Sequence, residues 1–304
     1  MPEPMPIQWF PGHMAKTRRI IQADLKLVDV VVELLDARIP AASRNPEIDR
    51  LIQNKPRIIA LNKADIADGN ANRQWRQYYA KRTGFPTVLL DAKSGKGVKE
   101  LTPAVETALA EELSRRAKRG MSGKPVRMMI VGVPNVGKSS LINRLAGSRR
   151  TKVEDRPGVT RGRQWVSVGT GMEVLDTPGV LWPKFEDPYV GELLAYTGAI
   201  KDQILDVETL ASRLLDYLAR HYSPLLAARY KLEVEPGEEP VALLERLGRK
   251  RGMLLSGGHV DTERAAVMLL DEFRGGVIGR ISLEWPDQEQ NKGYSGQVEA
   301  DTGE

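Results

Sequence analysis

Apolar residues fall in short continuous runs through the first part of the chain and in helix-spaced stripes through the last part. Val28–Ala37 (VDVVVELLDA) is a nearly unbroken apolar run. A strand covered by helices on both faces needs that pattern, so the segment predicts a buried parallel strand. Arg57–Leu61, Pro86–Leu90 and Val126–Val133 predict three more. Asn45–Asn54, Ala71–Thr83, Val98–Arg119 and Lys138–Leu145 predict the helices between and after them, and the third of these turns strongly basic at its end. Gln164–Val168 and Met172–Leu175 flank Gly169-Thr170-Gly171, which predicts a hairpin. Strands alternating with helices specify an α/β fold with a doubly wound sheet.

From about Pro188 the rhythm changes to helices alone: Val207–His221, Pro224–Tyr230, Val241–Arg251 and Thr262–Phe273. Leu210, Leu214, Leu215 and Leu218 share one helix face and are expected to be core. The expected organisation is therefore an α/β domain over residues 1–187, with a linker at 120–125 (GMSGKP), a small all-α domain over 188–286, and an acidic, disordered tail over 287–304.

Composition narrows the chemistry. The absence of cysteine removes disulfides, zinc–thiolate sites, iron–sulfur clusters and cysteine nucleophiles, and three histidines leave little for a histidine-rich metal centre. The apolar runs are far short of the ~20 residues that cross a bilayer. Residues 1–10 carry three prolines and no apolar signal core, so a cytoplasmic location without membrane attachment is expected. The formal net charge is +5, and residues 287–304 hold five acids and one lysine, leaving about +9 on the rest. Either phosphate-bearing partners or a solvated basic surface accounts for that excess.

Gly132-Val133-Pro134-Asn135-Val136-Gly137-Lys138-Ser139 matches GxxxxGK[ST] between a predicted strand and a predicted helix. In that setting the backbone N–H groups of the loop and helix start, from Asn135 to Ser140, surround phosphate oxygens. Lys138 supplies a point charge to the β- and γ-phosphates, and Ser139 offers a hydroxyl to Mg²⁺. Asn62-Lys63-Ala64-Asp65 reads as NKxD, whose carboxylate at Asp65 accepts two hydrogen bonds from guanine that adenine cannot donate. Lys63 is expected to lay its methylene stem along the base, and Ala64 completes the turn. The same tetrapeptide alone also fits a helix-capping turn. Asp91-Ala92-Lys93-Ser94 ends a strand with small residues, which suits a backbone contact from Ala92 and Lys93 to the guanine carbonyl. Asp176, in Asp176-Thr177-Pro178-Gly179, suits a Mg²⁺ contact, Gly179 lets a backbone N–H approach the γ-phosphate, and Thr160 offers a hydroxyl to Mg²⁺ from a switch loop.

The base-reading segments precede the phosphate loop, the reverse of the usual order in GTPases. A sheet tolerates this because a site needs strand ends adjacent in space and not in sequence. The loop after Asp176 then leads straight into the helical part, so nucleotide state can be transmitted there.

Together with Trp9-Phe10-Pro11-Gly12-His13-Met14 and Pro157-Gly158-Val159-Thr160, these motifs resemble those of the ribosome biogenesis GTPase A family (RbgA, also called YlqF), a group of circularly permuted GTPases, across residues 7–286. The resemblance implies a P-loop GTPase sheet in permuted order, an N-terminal motif at 7–27 and a helical, RNA-contacting region. It implies binding to the rRNA and ribosomal proteins of the large subunit late in assembly, by a chain expected to be monomeric. A metabolic kinase lacks a recognisable acceptor site here, and the permuted family acting on the small subunit usually carries a cysteine zinc site. A GTP-gated RNA- or ribosome-binding module in which hydrolysis is incidental stays open, because Val180 stands where small GTPases carry the water-orienting glutamine. Slow intrinsic hydrolysis, raised by the ribosome, is expected. The family resemblance implicates His13 in positioning the water, with helix capping or RNA contact as the alternative, and implicates Asn135 as a K⁺ ligand, with simple fit to the loop backbone as the alternative. Basic runs at Lys16–Arg19, Arg115–Arg119, Arg144–Arg163 and Arg246–Arg251 are candidate RNA contacts.

Overall fold

The computed structural model describes residues 14–52, 54–121, 123–147, 152–153, 165–169, 171–175, 179, 181–182, 185, 187–235 and 237–286. The tail at 287–304 and the start of the N-terminal motif, residues 7–13, lie outside them.

The strands are β1 (Val30–Asp36), β2 (Arg57–Asn62), β3 (Thr87–Leu89), β4 (Val126–Val131), β5 (Lys152–Val153), β6 (Trp165–Val168) and β7 (Met172–Leu175). They form a seven-stranded sheet in the order β3-β2-β1-β4-β7-β6-β5. β3, β2, β1, β4 and β7 run parallel, while β6 pairs antiparallel with both β7 and β5. The apolar runs explain the central strands directly. All seven residues of β1 and all six of β2 are buried. Alternate residues face opposite layers: Val30, Val32 and Leu34 join one apolar cluster, and Val31 and Leu35 join clusters on the other side.

The helices divide between those layers. α1 (Met14–Leu25), α2 (Pro46–Ile52) and α3 (Gly69–Thr83) cover one face. α4 (Leu101–Ala108), α5 (Ala110–Lys118) and α6 (Lys138–Ala146) lie on the opposite face, where α4 and α6 bury Leu101, Val105, Leu141 and Ile142 with Leu34 and Ile130. α7 (Pro188–Tyr196), α8 (Val207–His221), α9 (Ser223–Tyr230), α10 (Pro240–Lys250) and α11 (Thr262–Arg274) extend that same cluster through Leu193, Leu214, Leu247 and Leu270. The sheet and the helical region thus share one continuous apolar core.

Three features differ from the sequence-based expectation. The single helix expected over Val98–Arg119 is a short 3₁₀ turn at Val98–Glu100 followed by α4 and α5, interrupted at Leu109 with φ −107° and ψ 9°. Leu109 stays in the core, and beyond the bend Arg116 is buried against Asp29 and Glu112, so one cation of the basic helix end is spent in ion pairs while Lys118 and Arg119 stay exposed. α7 was not foreseen, although Asp187 caps it and Pro188 opens it; Gly191 in its interior weakened the helical pattern. The segment from 277 to 285 is not helical: it runs back across the sheet domain, donating from Ile281 N–H to the Ile66 carbonyl and from Leu283 N–H to the Arg38 carbonyl.

Candidate functional site

β1, β2 and β3 progress to one edge while β4 lies on the opposite side of β1, so the strand order reverses between β1 and β4. Open parallel sheets bind ligands at such a switch point, outside the carboxyl ends of the strands. Asp36 ends β1, Asn62 ends β2, Asp91 follows β3, and Gly132 follows β4. The chemistry-bearing segments therefore converge there because each was encoded at the end of an apolar strand.

Asn62 ties them together. Its side-chain amide donates to the Val136 carbonyl at 2.7 Å, and its amide oxygen accepts from the Ala92 N–H at 2.9 Å. One side chain, 2% exposed, thereby fixes the phosphate loop, the NKxD turn and the Ala92–Lys93 turn relative to each other. A Cβ on Gly137 would sit 2.3 Å from Asn62 Nδ2, and Gly137 has φ +105°, so only glycine lets the loops approach this closely. Asp91 organises its own turn by accepting from the Lys93 and Ser94 N–H groups. Those hydrogen bonds outweigh partial burial and hold its carboxyl below the usual range. Arg144 of α6 donates to the Ala92 and Lys93 carbonyls, clamping that turn to the phosphate-loop helix.

Lys138 is buried at the start of α6 and donates to the Gly132 and Val133 carbonyls at 3.1 and 2.9 Å. Ser139 and Ser140 are exposed beside it on the first turn of α6, whose N–H groups and dipole favour an anion. Gly179 approaches the same place: a Cβ there would lie 2.9 Å from Lys138 Nζ and 2.9 Å from Pro134 Cα. Asp65 is exposed at the tip of the NKxD turn, with Ala64 half-buried beneath it. Asn135 adopts φ 56° and donates from Nδ2 to the Gly198 carbonyl in the loop after α7. His13, Thr160 and Asp176 lie outside the described residues, as does Val180.

A cavity of about 520 Å³ opens between Lys63 and Asn135 on one side and Thr197, Gly198, Lys201 and Arg274 on the other. Its second wall belongs to the helical region, which the sequence reading connects to the site through the loop after Asp176 and not through Thr197–Lys201 or Arg274. Lys63, φ 62°, bonds Asp36 at 2.8 Å. Burial lowers the Lys63 pKa, and Asp36 only partly offsets it. Asp36 is itself buried, which alone would raise its pKa; Arg38 and Lys63 outweigh burial and hold the carboxyl far below the usual range. Arg38 completes the chain by donating from Nη1 to the Phe273 carbonyl at 3.1 Å, with its guanidinium 4.9 Å from the Phe273 ring centre. The sequence reading places Asp36 inside the Val28–Ala37 strand and gives Arg38 no role; the available signal is an acid and a base closing an apolar run at a switch point.

The basic runs are partly spent within the molecule. Arg116 and Arg144 make the contacts given above, Arg246 pairs with Glu235 and Glu238, and Arg251 lies 3.5 Å from Glu272. Lys118, Arg119, Arg249 and Lys250 are exposed. Arg149, Arg150, Arg156, Arg161 and Arg163 lie outside the described residues. Among the described residues no helix is long and apolar enough to cross a membrane, and no group of three or more His, Cys, Asp or Glu residues could hold a metal.

Comparison with known proteins agrees with this geometry. The model of a family described as 50S ribosome-binding GTPase matches residues 127–229. Ribosome biogenesis GTPase A of Priestia megaterium is 50% identical over 285 residues, covering 93% of this chain and 98% of its own. The protein of the same name from Bacillus cereus is 47% identical over 284 residues, covering 93% and 95%. The crystal structure of GNP-bound YlqF from T. maritima matches with a TM-score of 0.64 at 30% identity, over 90% of this chain and 99% of that one.

Proposed function

The chain belongs to the ribosome biogenesis GTPase A family, and on that footing we propose that it is a GTP-hydrolysing assembly factor that binds the large ribosomal subunit late in maturation and leaves on hydrolysis. It is a circularly permuted P-loop GTPase. The observation that carries the reading of its site is the Asn62 bridge, which joins a guanine-reading turn and a phosphate-binding loop in one pocket. The description of the matched family names the 50S ribosome, and the relatives' names point to ribosome assembly.

In this reading Asp65 accepts the guanine N1–H and exocyclic amine, Lys63 lies along the base, and Ala92 and Lys93 meet the guanine carbonyl. The N–H groups from Asn135 to Ser140 cradle the phosphates, Lys138 neutralises them, and Gly179 admits a backbone N–H to the γ-phosphate. Ser139 is an exposed hydroxyl at the helix start, and with Thr160 and Asp176 it makes a hard-oxygen donor set suited to Mg²⁺. Bound there, Mg²⁺ neutralises charge on the phosphates. Asn135 spends its Nδ2 on Gly198, which leaves Oδ1 as the atom to meet K⁺. Val180 cannot orient water, and neutral His13 supplies the acceptor once the N-terminal motif folds over the site. The chain acts as a cytoplasmic monomer with slow hydrolysis that the ribosome raises.

The test is sedimentation with purified large subunits, in GDP and in a non-hydrolysable GTP analogue, with turnover measured with and without subunits. Co-sedimentation with the analogue and strong stimulation are expected. Analogue-dependent binding without stimulation favours a GTP-gated module, the reading that Val180 supports; equal binding in both nucleotides refutes the cycle. His13→Ala with unchanged turnover refutes its catalytic role, and equal rates in KCl and NaCl refute the K⁺ ligand.

A further inference from the structure

The turn from Asn62 to Asp68 is held from two sides. Asn62 fastens one side to the phosphate loop, as described. The other side rests on the strap formed by residues 277–285, which follows α11 and belongs by sequence to the helical region. Arg280 donates from Nε to the Ala67 carbonyl at 3.0 Å and from Nη2 to the Ala64 carbonyl at 3.2 Å. Ile281 N–H bonds the Ile66 carbonyl at 3.0 Å, and the Asp68 N–H donates to Ser282 Oγ at 3.1 Å. Gly276 backs onto Ile66 so closely that a Cβ would lie 2.2 Å from its Cγ2.

The strap is anchored at its far end as well. The Glu284 carboxylate accepts from the Ala41 and Ala42 N–H groups, and its carbonyl accepts from Trp75 Nε1 at 3.0 Å. Trp75 is the fully buried centre of the apolar cluster beneath the turn, and Trp285 packs on that cluster. Ser282 is tied back to the helical region through the Tyr217 and Tyr222 hydroxyls, which donate to its carbonyl. Five successive residues, Arg280 to Glu284, thus bond either the base-reading turn or the segments that support it, Leu283 through the Arg38 carbonyl.

We propose that the strap is a positioning element for the guanine-reading turn, with Arg280 as its principal positioning residue, so that guanine binding and strap docking strengthen each other. This rests on the reading of Asp65 as the guanine acceptor. The physical argument is preorganisation: a carboxylate that must meet two donors at once gains from a turn already fixed on both sides. Linkage then makes the effect reciprocal, because whatever the strap adds to guanine affinity, guanine adds to strap docking. The helical region thereby senses the base as well as the phosphates.

The test uses the full chain and compares GDP with IDP, whose base lacks the exocyclic amine and so offers Asp65 one donor fewer. Arg280 is exposed enough that Arg280→Ala is expected to fold, which a thermal melt checks. The variant should bind GDP about tenfold more weakly, the worth of one charge-assisted hydrogen bond, with a smaller loss for IDP. The GDP-over-IDP preference therefore narrows, and Arg280→Lys restores part of it. In the unmodified protein, saturating GDP should slow amide exchange at Ile281 and Leu283. A preference that Arg280→Ala leaves intact overturns the strap's role, even if the melt shifts, and so does unchanged exchange at both amides. An unmodified chain that binds IDP as well as GDP overturns the assignment of Asp65 itself, and the inference with it.

Discussion

Replacing Asn62 by alanine tests whether the site is built as described. The side chain is 2% exposed and makes two hydrogen bonds, to the Val136 carbonyl and from the Ala92 N–H. Alanine leaves both partners without it, and a buried polar group left unmatched costs about 1–3 kcal/mol. The sum for two is about 2–6 kcal/mol, and about 4 kcal/mol is the central expectation. At roughly 2–4 °C per kcal/mol for a chain of this size, the midpoint should fall by about 10 °C. Urea unfolding gives the stability and a fluorescent-GDP titration gives the affinity, with Asn70→Ala on the exposed start of α3 as control, expected within about 0.5 kcal/mol of the parent. The affinity should fall further than stability alone explains, because the phosphate loop and the base-reading turn lose their shared strut. A stability change below about 0.5 kcal/mol, or an unaltered affinity in the folded variant, refutes the reasoning.

Other consequences follow from the same geometry. Asp65→Asn replaces an acceptor by a donor facing guanine's own donors, so GDP affinity should drop by about a hundredfold while affinity for XDP, whose base carries a second carbonyl, rises; competition titrations measure both. Asp36 is held well below its ordinary value of 3.8, so its contribution is complete above that value and is lost as pH falls below it. Urea stability of the parent should therefore decline below about pH 4, and Asp36→Asn should flatten that decline while costing about 3–5 kcal/mol at pH 7 by leaving Arg38 buried without its partner. Gly179→Ala places a Cβ against Lys138 Nζ and Pro134 Cα, so turnover should fall at least tenfold while GDP affinity changes by about twofold or less, measured by phosphate release and titration.

The parts of the fold that sequence made legible share a cause. β1, β2 and β4 are buried on both faces, so their apolar runs are long enough to read and their ends locate the site. Reading Asn62 and Gly137 as neighbours required only that strand ends converge. What stayed hidden depends on contacts between distant residues. Arg116 looks like a helix-end cation until Asp29 is brought to it, and the β1 end at Asp36 looks like a strand terminus until Lys63 and Arg38 close on its carboxylate. The strap has no periodicity to read, because its backbone groups pair with loops and not with a neighbouring strand.

Arg280 and Ala67 meet across 213 residues of sequence. Translation delivers the NKxD turn well before its brace. A chain interrupted before Val277 carries both nucleotide motifs, yet the turn that reads the base has lost half of its scaffold. Contacts of such sequence separation also form late in folding, after the entropy of a long closed loop has been met. Full competence to hold guanine then waits on the arrival of the strap, so that copies still lacking it grip the nucleotide more loosely.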